Sequence, residues 1–260
     1  MTEEYDLDDL NSLPAETEEI NSAAELQSEI EINTRMNSSM WTGSVHADYM
    51  GMGFYQMQVE LSQLADDGQW DQLISRVYSC GLIESPNSIN PDEDSWNTLI
   101  HKAVEAGVKA VIVQMLIDAG GWRTIRNAQG ERPIDIARRL GHEHLYQVLE
   151  PVIRHPCEDA DLMAIQERFH ALIQKTADDL ELDLQGWFRF PSLSILQELK
   201  DPTMNVAVSG MYGGFDYRLE FREGSPVLVT EYESRICSGS EELYEITPES
   251  CNRVEGEFLP

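Results

Sequence analysis

The sequence predicts an α+β protein in which a stack of short helical pairs is followed by a capping helix and a small antiparallel β-sheet unit. Three observations predict it. Glycines recur at matched spacings through the middle of the chain, the apolar residues between them keep a helical period, and from about Asn205 that period drops to two. The implied organisation is an acidic flexible arm over residues 1–45, helical repeats over 46–155 and a C-terminal α+β domain over 156–260.

The arm holds many acids, no Lys or Arg before Arg35, and a Ser/Asn-rich ending, INTRMNSSMWTG. Such composition offers too little apolar surface to offset the entropy of ordering, although AAELQSEIEI has the pattern of one helix. Trp41, Tyr49, Phe54 and Tyr55 mark the return of core-forming material.

In NTLIHKAVEAGVKAVIVQMLIDAGG, Thr98 is placed to cap a short helix whose apolar face is Leu99, Ile100, Ala103 and Val104, and Gly107 breaks it. A second helix follows with Val108, Val111, Ile112, Met115 and Leu116 at helical spacing, closed by Gly120. In GERPIDIARRLGHEHLYQVLE the pattern returns. Pro133 suits a first helical turn, Ile134, Ile136 and Ala137 supply the apolar side, Gly141 makes the break, and Leu145, Val148, Leu149 and Val152 repeat the second face. A weaker copy lies in VELSQLADDGQWDQLISRVYSCG, where Gly68 and Gly81 are spaced like Gly107 and Gly120. There are thus two clear copies and one degenerate one, with LIESPNSINPDEDSW as a lengthened loop between them.

Thr98-Leu99-Ile100-His101, with Ala103 and Gly107, resembles the ankyrin-repeat pattern of Thr-Pro-Leu-His, then Ala, then Gly. Arg132-Pro133-Ile134-Asp135, with Ala137 and Gly141-His142, resembles it again, and the period near 33 agrees. The resemblance covers roughly residues 56–153. Leu99 replaces the usual Pro, Trp96 stands where the inter-repeat turn prefers Gly, and the first unit lacks the motif, as a solvent-facing cap would.

After His155-Pro156-Cys157 the repeat ends. Leu162, Ile165, Phe169, Leu172 and Ile173 share one face of a helix that is expected to cover the open end of the stack. Phe215, Tyr217, Leu219 and Phe221 alternate in a strand, REGSP is a turn, Val227 and Val229 lie on the return strand, and ELYEIT and NRVEGEF extend the sheet. The stretch VSGMYGGFDYRLEF, followed by SGSEELYEIT, resembles the tails of bacterial ankyrin-repeat proteins regarded as candidate immunity proteins of polymorphic toxin systems.

A formal charge of −29, from 47 acidic and 18 basic residues, lacks the basic footprint of a general nucleic-acid binder and favours solubility or a cationic partner. The opening MTEEYDLDDL has no basic region followed by an apolar stretch, and no later run is long enough to span a membrane, so a cytoplasmic protein is expected. Cys80, Cys157, Cys237 and Cys251 are scattered without a CxxC pair, so free and mostly buried thiols are expected, with neither zinc nor a disulfide framework.

Catalytic chemistry finds little purchase. His142 and His144, two apart on a helix, diverge by about 200 degrees and do not share one ion. His101 reads as a scaffold residue, since the Thr and His of the ankyrin pattern tie neighbouring turns together. His155 and Cys157 lack a third, orienting group, and Gly210-Met211-Tyr212-Gly213-Gly214 runs into a strand without the Gly-Lys-Ser/Thr ending of a phosphate loop. No cofactor, metal or catalytic residue is expected.

The ankyrin resemblance implies contact through turn tips and first-helix faces. By position this implicates Asp94, Ser95, Asn97 and Glu105 in one repeat and Ala128, Gln129, Glu131 and Arg139 in the next. Trp96 and Trp122 serve equally as aromatic anchors or as packing between repeats. With the acidity and the immunity-like tail, the expected function is neutralisation of a cognate basic toxin domain by occlusion, the chain being a monomer before binding. The alternatives are an adaptor or chaperone for a secreted effector, and an enzyme with a site around Tyr212, Tyr217, Arg235 and Cys237.

Overall fold

The computed structural model describes residues 40–79, 86–234 and 240–256. Among them lie seven α-helices and one six-stranded mixed sheet, so the protein is of the α+β class. The arm to residue 39, residues 80–85 at the end of the stretch read as a degenerate repeat, and residues 235–239 fall outside the described residues, and with them Cys80, Gly81, Arg235 and Cys237.

Three helical pairs come first: α1 (Met52–Asp66) with α2 (Trp70–Ser79), α3 (Leu99–Glu105) with α4 (Ala110–Asp118), and α5 (Pro133–Leu140) with α6 (Tyr146–Leu149). Thr98 is the N-cap of α3 and Pro133 opens α5, where its missing N–H costs nothing. Gly107 has φ of 61° and abuts the His142 ring, which a Cβ there would approach to 2.9 Å. Conformation and space both require glycine. Leu61, Leu73, Ile100, Val104, Leu116, Ile134, Ile136 and Leu145 form one continuous core through the three pairs.

Residues Glu143–Leu145 form a 3-10 turn, and α6 is only four residues long. Glu150 turns extended ahead of Pro151, as the residue before a proline is driven to do. Val152, expected on the buried face, is exposed.

The helix after the pairs, α7 (Asp159–Asp179), does not cover the open end of the stack. Leu162, Ile165, Phe169, Leu172, Ile173 and Ala177 instead belong to the core of the sheet, with Phe169 meeting Phe215 at 5.9 Å and Tyr217 at 5.0 Å between ring centroids. A helical stripe shows that a face must be buried without naming the surface that buries it.

The sheet runs in the order β1 (Met40–Trp41), β2 (Thr203–Val208), β3 (Gly213–Arg222), β4 (Ser225–Ser234), β5 (Ser240–Ile246) and β6 (Cys251–Val254). Four pairings are antiparallel, as the alternation predicts, while β1 lies parallel to β2. The end of the segment read as an arm is therefore a strand of the C-terminal sheet. Trp41 is 3% exposed and joins that core together with Trp122 and Ile125 from the loop after α4.

The junction between helical pairs and sheet is polar and well partnered. Glu198 accepts hydrogen bonds from the Thr124 hydroxyl at 2.6 Å, the Thr124 N–H at 3.0 Å and the Arg123 N–H at 3.2 Å. Asn87 donates to the Gly120 carbonyl and accepts from the Trp122 N–H, each at 2.9 Å.

Candidate functional site

The turns that join successive pairs come together along one edge. Each begins as a loop that side chains and backbone must satisfy, because a turn has no ladder of its own. Asn127 folds its side-chain carbonyl back to accept the Gln129 and Glu131 N–H groups, and Gly130 takes φ of 76°. In the preceding turn the equivalent left-handed residue is Trp96, at φ of 52°. That position favours glycine, so Trp96 holds an unfavourable backbone conformation of about 1 kcal/mol.

The two turns are tied to each other. The Ala128 N–H donates to the Ser95 carbonyl at 2.8 Å, and the Asn127 amide donates to the Asn97 side-chain carbonyl at 3.0 Å. Fully buried His101 completes the tie: its Nδ1 accepts the Thr98 N–H at 3.1 Å and its Nε2–H donates to the Glu131 carbonyl at 3.2 Å. This pairing sets the tautomer. Burial pushes the imidazole down to about 4, so the ring stays neutral near pH 7.

Of the residues the sequence nominates, Asp94, Glu105, Ala128, Gln129 and Arg139 are exposed, and Ser95 and Glu131 are half-buried. Arg139 and Glu131 form a two-pronged ion pair at 2.7 and 2.9 Å, and each stabilises the other's charged form. Asn97 is buried and engaged with Glu105 and Asn127, so it positions the edge without presenting itself. Trp122 is 4% exposed and stacks on Trp41 at 6.1 Å, a packing role that removes it from any contact surface. Trp96 is half-buried, with the Arg189 guanidinium 5.4 Å from its ring centre.

Sequence reasoning missed Asp92, which is exposed beside Asp94 and accepts the Tyr55 hydroxyl at 2.8 Å. It also missed Lys102, which is buried under the turn and donates to Asp66 at 2.8 Å and Glu93 at 2.9 Å. The run PDEDSW carried the acidic signal. Nothing local marked Lys102, because its partners are 36 residues before it and 9 residues before it.

The groups considered for chemistry lie apart. His142 packs on Gly107, and His144 Nε2 is 3.0 Å from the Val108 carbonyl, so both rings serve contact with the preceding pair. His155 Nε2 is 3.1 Å from the Leu199 carbonyl, and burial with nearby carboxylates pushes the Cys157 thiol up to about 11, away from the reactive thiolate. Cys157 is half-buried and Cys251 exposed, where buried thiols were expected. Tyr217 is fully buried with its hydroxyl against the Met204 sulfur, while Tyr212 is 69% exposed in the β2–β3 turn, so these two do not line one pocket. Among the described residues no group of His, Cys, Asp and Glu is arranged to hold a metal ion, and no helix is long and apolar enough to cross a membrane. The chain matches no family model, and no solved structure was found to match it.

Proposed function

We propose that this chain is a binding protein whose residues 46–155 form an ankyrin-type repeat stack, and that it captures a basic protein partner and occludes it. The observation that carries the reading is the tied turn edge. Ser95–Ala128, Asn97–Asn127 and the His101 bridge hold two successive turn tips in fixed register, so Asp92, Asp94, Glu105 and Gln129 present one pre-ordered surface. Pre-ordering lowers the entropy cost of binding. With a formal charge of −29, the long-range field draws in a cationic partner and hastens encounter at low salt.

The partner class favoured is a bacterial toxin domain with a groove built for phosphates, for which an acidic protein competes directly. This narrower assignment is supported by the immunity-like tail over residues 205–258 and by charge. The test has two steps. Tagged protein retains partners from native lysate at low and moderate salt, and any basic domain recovered near one-to-one is then assayed for its own activity against rising amounts of the chain. Loss of that activity at equivalence supports occlusion; a partner that stays active identifies an adaptor instead. An association rate indifferent to salt would sink the steering component.

A further inference from the structure

The sheet has two faces, and α7 covers only one. Phe215, Tyr217 and Leu219 of β3 point toward α7, so Asp216, Arg218 and Glu220 stand on the other side. Register carries that outer face across the strands: Asp216 opposes Asn205 on β2 and Glu231 on β4, and Glu233 sits one step along β4, opposite Gly214.

The outer face divides into two parts. At one end Arg218, Glu220, Arg222 and Glu245 neutralise one another, with contacts of 2.5 to 3.2 Å. At the other end carboxylates gather across neighbouring strands. Asp216 is held above the usual carboxylate range, by burial first and by Glu233 second. Like charges on adjacent strands cost stability. Beside them is a depression of about 550 Å³ lined by Glu231, Leu243, Arg253, Val254, Glu255 and Gly256. Carboxylates next to the apolar side chains of Leu243 and Val254 match a side chain with an apolar stem and a cationic head.

We infer that this outer sheet face is a second docking surface, and that its occupant is an arginine- or lysine-rich segment of a protein partner. Charge decides between occupants. The chain's own acidic N-terminal segment would be repelled from Asp216, Glu233 and Glu255, and a second copy would set the same carboxylates against each other. A basic segment lays its aliphatic stems on Leu243 and Val254 and its charges against the carboxylates. The inference takes from the proposed function only the sign of the partner's charge.

The test uses the full chain and a synthetic peptide of alternating arginine and alanine, with citrulline replacing arginine as the uncharged control. Binding is read by fluorescence anisotropy near physiological salt. Two double variants each remove two negative charges: Asp216→Asn with Glu233→Gln on the face, and Glu167→Gln with Asp178→Asn on the exposed side of α7, beyond the sheet's other face. The face variant is expected to weaken arginine-peptide binding about tenfold or more, while its thermal midpoint holds or rises because repulsion is relieved. The α7 variant is expected to bind within about twofold of the unaltered protein, since net charge alone acts weakly through salt. Equal losses in both variants, or citrulline peptide bound as well as arginine peptide, would overturn the inference and leave the proposed function standing. No binding of the arginine peptide by the unaltered chain would overturn both.

Discussion

Trp41 and Arg189 grip each other twice. The Trp41 indole N–H donates to the Arg189 carbonyl at 2.7 Å, while the Arg189 guanidinium stands 4.6 Å from the centre of the Trp41 ring. Arg189 also donates through its backbone to Gly43 at 2.7 Å and through its side chain to the Arg126 carbonyl at 2.8 Å. One buried residue thus fastens strand β1 and the residues just after it to the turn before the last helical pair. Burial alone draws its pKa down to about 10, so the cation persists at pH 7.

Trp41→Ala is expected to destabilise the fold by about 3–5 kcal/mol, from lost burial and an opened cavity beneath Trp122. Arg189→Met, which keeps the apolar stem and removes the buried charge, is expected to cost distinctly less than Arg189→Ala. Urea midpoints of the three variants check this. If Arg189→Met were as damaging as Arg189→Ala, the polar contacts to Arg126 would outweigh packing.

His101 makes stability depend on pH. In the unfolded chain its imidazole takes up a proton near pH 6.5, whereas in the fold it does so only near 4. Between those values the unfolded state binds more protons, so stability is present above about 6.5 and is lost as pH falls toward 4. The loss attributable to His101 is about 3 kcal/mol. Urea unfolding at pH 7 and pH 4.5 measures it, and His101→Gln should show a shallower slope over the same range. Parallel slopes for the two proteins would refute the assignment.

The Glu198 carboxylate is buried, and its pKa is raised chiefly by that burial. Thr124→Val removes only the 2.6 Å hydroxyl bond and is expected to cost about 1.5–3 kcal/mol at pH 7, the range for hydrogen bonds to charged groups. Glu198→Ala strands three donors and should cost more. A double variant no worse than Glu198→Ala alone would show the two side chains acting as one unit, whereas full additivity would contradict the pairing.

The β3–β4 hairpin turns on Glu223 and Gly224, with φ of 54° and 87°. Both are left-handed, and asparagine tolerates the first position better than glutamate. Glu223→Asn is expected to raise stability by about 0.5 kcal/mol, seen as a higher thermal midpoint. An unchanged or lower midpoint would show that this turn is not under strain.

Much of the helical part was legible because its signals are local. Gly107, Gly120 and Gly141 end helices with positive φ or follow directly on them, Pro133 starts one, and the apolar stripes pack as their spacing requires. The Glu223-Gly224 turn and the alternation of Phe215, Tyr217 and Leu219 were legible for the same reason. Strand β1 was not, since two residues carry no periodicity and the parallel partner lies over 160 positions away. The target of α7 was equally hidden. A stripe such as Leu162, Ile165 and Phe169 fits a repeat end or a sheet alike, and the choice fell to the aromatic surface of Phe215 and Tyr217.

The candidate surface divides in the same way. That Asp94, Glu105 and Gln129 lie on exposed turns and helix faces follows from polarity and turn chemistry within a few residues of each. Whether Trp96 and Trp122 face a partner or the interior depended on where Arg189 and Trp41 arrive, more than 60 residues away in sequence. By itself the sequence determined the helical pairs, the hairpins, the acidity and the caps, because these are set by interactions between near neighbours. Only the tertiary structure decided which stripe met which surface, which tryptophans were buried and which sheet face α7 covered, because apolar burial is non-directional and accepts any surface that excludes water.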